Sequence, residues 1–144
     1  MMLRATATAA LIAMTSSFAM AASDDVLLGK WLTEDGGTVE IKPCNSGLCG
    51  DIVDIRIPAG KTRKDMVDAN NPTKEKRGRS LYGLRVVRAI QADGAGKWSA
   101  RAYSPKHGHS ADTTLTLSGS NTLKLRGCVK AVFKICDTET WRRL

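Results

Sequence analysis

The chain has 144 residues, 42% hydrophobic but only 5% aromatic, with four cysteines and a formal net charge of +8. This length suits one domain with little surplus burial. Beyond the N-terminal segment no apolar stretch is long enough to cross a membrane as a helix, so the mature protein is expected to be soluble and not transmembrane.

Residues 1–21 read as a Sec-type signal peptide. Arg4 gives a short positive region, residues 5–14 are small and apolar, and Ala19-Met20-Ala21 is an A-x-A cleavage site. The expected mature chain is a single β domain over residues 22–144, located in the periplasm or secreted. Export changes the meaning of its charge. A basic cytosolic protein would suggest nucleic acid. Outside the cytoplasm nucleic acid is not the expected partner, and the anions on offer are lipid head groups, lipopolysaccharide phosphates and cell-wall polymers. The same charge also serves solubility alone. Four cysteines in an exported chain imply two disulfides, and the spacings favour the local pairs Cys44–Cys49 and Cys128–Cys136. With no C-x-x-C and no zinc-knuckle spacing, neither a metal nor a redox role is expected.

The folded part opens with Val26-Leu27-Leu28-Gly29-Lys30-Trp31 and ends with Glu139-Thr140-Trp141-Arg142-Arg143. A Gly-x-Trp on the first strand and an Arg on the last suit a small barrel closed by its own termini, with Arg143 lying across the Trp31 ring and Arg142 as the alternative. Short alternating segments predict strands at about 26–34, 37–43, 49–57, 81–91, 97–103, 110–117, 121–128 and 132–143. Asp35-Gly36, Asp93-Gly94-Ala95-Gly96 and Ser118-Gly119-Ser120-Asn121 are turn sequences. Eight sequential strands predict an antiparallel up-and-down barrel, which removes sheet edges by closure; a two-sheet sandwich is the alternative.

Pairing Cys128 with Cys136 places Leu125 opposite Glu139 and Leu123 opposite Trp141. The disulfide then lies on the outer face and Asp137, Glu139 and Arg143 point inward with Trp141. Buried carboxylates need partners, for which Arg85, Arg88 or Arg143 are candidates. Residues 58–80 are too long for a barrel turn. They are basic, with a short helix expected at 73–77 after Asn71-Pro72.

The sequence resembles the domain of unknown function 2147 family of small exported bacterial proteins. The resemblance runs from Gly29 to Arg142. It is carried by Gly29-Lys30-Trp31-Leu32-Thr33-Glu34-Asp35-Gly36-Gly37, Ile41-Lys42-Pro43-Cys44, Leu48-Cys49-Gly50, Asn71-Pro72, Gly78-Arg79-Ser80-Leu81-Tyr82-Gly83-Leu84, Trp98, Tyr103-Ser104-Pro105, Leu123-Lys124-Leu125-Arg126-Gly127 and Thr140-Trp141-Arg142. It implies a lipocalin-like barrel and brings no substrate or catalytic residue. The family's Tyr-Asp-Pro turn, followed by Gly-Lys and a Tyr, is here Tyr103-Ser104-Pro105-Lys106-His107-Gly108-His109-Ser110, without the acidic residue and the later aromatic, so the resemblance establishes no role for that turn.

Candidate chemistry is sparse. His107 and His109 form an H-x-H in a turn, with no third His or free Cys to complete a metal site. Ser110 and Asp112 lie near His109 but no nucleophile-elbow motif accompanies them. Asp137 and Glu139, i and i+2 on one face, are better explained as rim and lining groups than as a catalytic pair. The chain is therefore expected not to be an enzyme and to need no cofactor. It reads as a binding module. Val39, Ile41, Val53, Ile55, Leu84, Val86, Trp98, Ala100, Ala102, Leu115, Leu117 and Leu125 are the expected lining, suited to a small hydrophobic or amphipathic ligand. Lys61, Arg63, Lys64, Arg77 and Arg79 form a basic mouth for an anionic head group. In the alternative, the barrel is filled by its own side chains and the basic loop docks on an anionic envelope surface.

Overall fold

The computed structural model describes residues 23–45 and 47–144. The expected signal peptide and its cleavage point lie outside the described residues. Eight antiparallel strands form a closed up-and-down barrel in chain order: β1 (Gly29–Leu32), β2 (Thr38–Cys44), β3 (Gly47–Asp54), β4 (Arg85–Ala92), β5 (Lys97–Ser104), β6 (His109–Ser118), β7 (Thr122–Lys130) and β8 (Lys134–Arg143). β1 closes the barrel against β8, with Trp31 opposite Arg143 and Leu32 opposite Arg142. A bond from Leu144 N to Lys30 O at 3.0 Å extends this seam.

The first strand starts later than its sequence suggests. Ser23 caps a 3-10 turn, Asp24–Leu27, and Gly29 at φ 119° makes the bend into β1 that a side chain would resist. This turn lies under the barrel. Leu27 is buried with Trp31, Ile41, Trp98, Leu115 and Leu123 to make a packed floor. Both indoles of that floor are satisfied: Trp31 Nε1 donates to Leu27 O and Trp98 Nε1 to Asp24 Oδ1, each at 2.9 Å. Arg143 seals the same end. Its guanidinium carbon stands 4.2 Å from the Trp31 ring centroid, and its nitrogens donate to the carbonyls of Leu28, Val26 and Ser120.

The last hairpin has the register set by its cysteines. Leu123 faces Trp141, Leu125 faces Glu139 and Cys128 faces Cys136. Both disulfides, Cys44–Cys49 and Cys128–Cys136, are formed. Two expectations fail. On β3 the inward set is Gly50 and Ile52, opposite Ile41 and Val39, so Val53 turns away from the interior. A Cβ on Gly50 would lie 3.0 Å from Val39 Cγ1 and 3.3 Å from Val87 Cβ. A side chain there would have to push these valines aside by a few tenths of an ångström, and the glycine breaks the apolar alternation from which the face was read. On β4, which begins at Arg85 rather than residue 81, Arg85 binds Asp51 at 2.9 Å, joined by Lys42 at 3.0 Å, and Arg88 is exposed opposite Arg101. Neither reaches Asp137 or Glu139. A bulge at Ala89, φ 52°, resets the strand so that Val87 and Ile90 are both buried.

Candidate functional site

The β1–β2 turn, the β3–β4 loop, the β5–β6 turn and the β7–β8 hairpin meet at the end opposite the floor. Between them opens a cavity of about 1110 Å3. Its depth is lined by Val39, Ile52, Val86, Val87, Ala102, Ala111, Thr113, Leu125 and Trp141, and its rim includes Ile55, Val129, Ile135 and Tyr103. Of the expected lining, Val39, Ile55, Val86, Leu125 and Ala102 do line it. Ile41, Trp98 and Leu115 belong to the packed floor beneath, while Leu84, Ala100 and Leu117 pack against the core. Ile52, Val87, Ala111, Val129 and Ile135 were not among the expected lining, and Trp141, expected to point inward, lines the cavity as well. For Trp141 and Ile135 the signal was present, since both share the face of Glu139.

The β3–β4 loop folds back on itself across one side of the mouth. Its ends are tied by Asp68 N to Arg79 O at 3.0 Å and Leu81 N to Met66 O at 2.9 Å, and the expected helix is a 3-10 turn, Lys74–Lys76. The loop is built around Asp68, whose side chain is 0% exposed. Arg79 Nε and Nη2 each lie 2.9 Å from Asp68 Oδ2, Asn71 Nδ2 donates to it at 2.8 Å, and the Tyr103 hydroxyl donates to Oδ1 at 2.6 Å. Burial works to raise the Asp68 carboxyl, but bonds from Tyr103, Asn71 and Arg79 outweigh it and hold the group below its ordinary value. The same environment raises the Tyr103 hydroxyl, through burial first and then the Asp68 carboxylate. Tyr103 stands on β5, so this knot staples the loop to the barrel wall. Asn70 Nδ2 to Lys106 O at 2.9 Å adds a second tie, to the β5–β6 turn.

This arrangement corrects the basic mouth. None of Lys61, Arg63, Lys64, Arg77 and Arg79 lines the cavity. Arg79 is held by Asp68, Arg77 Nε donates to Asn71 O at 2.8 Å, and Arg63 lies 3.5 Å from the Tyr82 ring centroid; Lys61 and Lys64 are exposed. The charged groups at the cavity are instead Glu34, Asp35, Asp54, Asp137 and Glu139 against Arg56 and Lys106, with His107 and His109. Carboxylates outnumber the cations, a field that disfavours an anionic head group inside the mouth.

Deeper in, Glu139 and Trp141 are the polar groups of β8. Burial pushes the Glu139 carboxyl up. Trp141 and the tie to Glu34 pull it back only in part, and the nearby Asp35 and Glu34 charges push the same way as burial. The Trp141 indole N–H is buried and makes no hydrogen bond of proper geometry, although Glu139 is near enough for the indole to favour its carboxylate. Glu34 is itself engaged, accepting from Thr140 N at 2.7 Å.

The remaining candidates do not assemble. The His107 and His109 rings are 5.6 Å apart at the rim, and among the described residues no three His, Cys, Asp or Glu side chains are grouped to hold a metal. Asp112 faces outward and pairs with Arg101 at 2.9 Å, and the serine beside a histidine is Ser104, whose Oγ lies 3.0 Å from His107 Nδ1.

A closed eight-stranded meander with one plugged end, one open mouth and an apolar cavity between them defines a lipocalin-like barrel. The chain belongs to the family described as "Uncharacterized protein conserved in bacteria (DUF2147)", whose model matches residues 29–143. Among solved structures it is similar to protein HP1028 from Helicobacter pylori, described as belonging to the lipocalin family. The TM-score is 0.68 at 20% sequence identity, over 82% of each chain. No curated protein matches the sequence.

Proposed function

We propose that this chain is an exported, non-enzymatic binding protein of the bacterial envelope that holds a small apolar or amphipathic ligand in its barrel. The cavity carries this reading. A volume of about 1110 Å3 slightly exceeds the usual range of small-molecule sites, which run to roughly 1,000 Å3. The side chains that fill the barrel, Leu27, Trp31, Ile41, Trp98, Leu115 and Leu123, lie at its floor, beneath this space. The apolar wall suits a hydrocarbon or ring system. The unpartnered Trp141 N–H and the Glu139 carboxyl suit a ligand with a hydrogen-bonding group at its inner end, and the surplus of carboxylates favours a neutral or cationic ligand over a fatty acid anion.

Organic extraction and native mass spectrometry of protein purified from its host should reveal a co-purifying ligand. Titration with the neutral fluorophore N-phenyl-1-naphthylamine should show saturable binding. Ala111→Trp, which fills the cavity from β6, should abolish it while the barrel still melts cooperatively. A wild-type protein that neither carries a ligand nor binds the probe would overturn the reading.

A further inference from the structure

The β7–β8 hairpin ends in an exposed apolar tip. Val132 is 99% exposed and Phe133 71%, while Ala131 N to Phe133 O at 3.1 Å closes the turn. Single exposed apolar residues are ordinary. Two adjoining ones at the point of a protruding hairpin, one of them aromatic, are not explained by packing. Their neighbours are also unusual. Lys130 and Lys134 stand directly opposite each other, and like charges so placed repel. The Cys128–Cys136 disulfide sits just behind them and holds the hairpin in register.

The tip belongs to the open end, and charge is distributed unequally between the two ends. The loops around the mouth, residues 33–37, 55–84, 105–108 and 130–134, carry eleven Lys and Arg against five Asp and Glu. The connections at the floor, residues 23–28, 93–96 and 119–121, carry Asp24, Asp25 and Asp93, with the Arg143 guanidinium beside them. A molecule with this dipole turns its mouth toward a negative surface.

We propose that the protein docks mouth-first on an anionic phospholipid bilayer, with Val132 and Phe133 entering the head-group boundary and Lys130 and Lys134 meeting lipid phosphates. An apolar point ringed by lysines matches the layering of such an interface, and bilayer charge relieves the Lys130–Lys134 repulsion. Val129 and Ile135, on the same hairpin, line the rim of the cavity, so docking sets the cavity entrance against the lipid. The inference shares the export part of the proposed function but does not depend on a ligand being bound.

The test is co-sedimentation of the mature protein with phosphatidylglycerol/phosphatidylcholine vesicles and with phosphatidylcholine alone. Binding is expected only to the anionic vesicles, and it should fall as salt rises and the Debye length shrinks from about 10 Å to about 3 Å. Val132→Ser with Phe133→Ser should weaken binding at least tenfold. Lys130→Gln and Lys134→Gln should each cost about fivefold at low salt. These side chains are exposed, so melting should not change. Phe133→Trp adds an exposed indole to three buried ones, and its emission should shift to the blue on anionic vesicles only. Equal binding to both vesicle types, a Val132→Ser/Phe133→Ser protein that binds like wild type, or retention only by cell-wall sacculi would each overturn the proposal. Loss of probe binding in Ala111→Trp with vesicle binding intact would separate docking from cavity occupancy.

Discussion

Replacing Arg79 with methionine should show how strongly the mouth loop is held. Asp68 is wholly buried and its Oδ2 faces both Arg79 nitrogens at 2.9 Å. Arg79→Met keeps most of the aliphatic stem but leaves a buried carboxylate with only Tyr103 and Asn71 as donors. Removing one partner of a buried ion pair costs about 3–5 kcal/mol. The Arg79 side chain is 37% exposed, so water can partly replace the guanidinium and the lower figure, about 3 kcal/mol, applies. With a urea slope of about 1.5 kcal/mol/M, that lowers the unfolding midpoint by about 2 M. Acid supplies an independent signature. A carboxyl held below its unfolded value of about 3.9 contributes stability that is complete above that pH and is lost as pH falls through the lower folded value. The wild-type and Arg79→Met curves should be furthest apart near neutrality and converge below about pH 4. Adding Asp68→Asn to Arg79→Met should recover part of the loss, because no buried charge then remains. A midpoint shift under about 0.3 M at pH 7, or a gap that persists unchanged at pH 3, would refute the reasoning.

Glu139→Gln should stabilise the protein at neutral pH. A carboxyl raised by burial lowers stability as pH climbs from its unfolded value of about 4.3 through its higher folded value, so the variant's thermal midpoint should be flatter over that range than the wild type's. Gly108→Ala should loosen the mouth loop. Gly108 has φ 67° and a Cβ there would clash with the Asn70 carbonyl oxygen. The conformational penalty alone is about 1–2 kcal/mol, and faster tryptic cleavage between residues 61 and 79 should accompany the lower melting temperature. Arg143→Ala removes a cation–π contact worth about 0.5–2 kcal/mol and three carbonyl partners. Melting should drop by several degrees, and Arg143→Lys should restore less than half, because an ammonium cannot span the carbonyls of Leu28, Val26 and Ser120 while lying over Trp31.

The last hairpin was legible because two cysteines pinned its register and everything inward followed from a period of two. The closed end was legible for a similar reason, as Gly29, Trp31 and Arg143 act within one seam. β3 was not. Its inward position 50 is glycine, so Val53 and Ile55 read as the more apolar alternation, and only the pairing of Gly50 and Ile52 with Ile41 and Val39 decides the face. Trp98 was read as lining because alternation gives the face of a side chain but not its depth along the barrel axis; its bond to Asp24 puts it in the floor. The basic loop misled because a count of charges says nothing of their partners. Arg77 and Arg79 hold the loop together, and the one buried acid among them, Asp68, looks in sequence like any solvated aspartate in a turn.

The residues that carry the family resemblance divide between two structural tasks. Gly29, Trp31, Trp98, Trp141 and Arg142 belong to the seam and floor or stand just above them. Asn71, Arg79 and Tyr103 converge from distant parts of the chain on the Asp68 carboxylate and fix the loop beside the mouth. Both tasks concern the frame of the cavity, and of the motif residues Leu125 and Trp141 also line its depth. The groups that would distinguish one ligand from another, Glu139, Arg56 and Lys106 at the cavity and Ala102 and Ala111 on its wall, lie outside those motifs. Membership of the family therefore predicts a barrel with one sealed end and one stapled mouth. On the proposed reading, ligand preference is set at these wall and rim positions, and a charge reversal at Glu139 should change it without disturbing the fold.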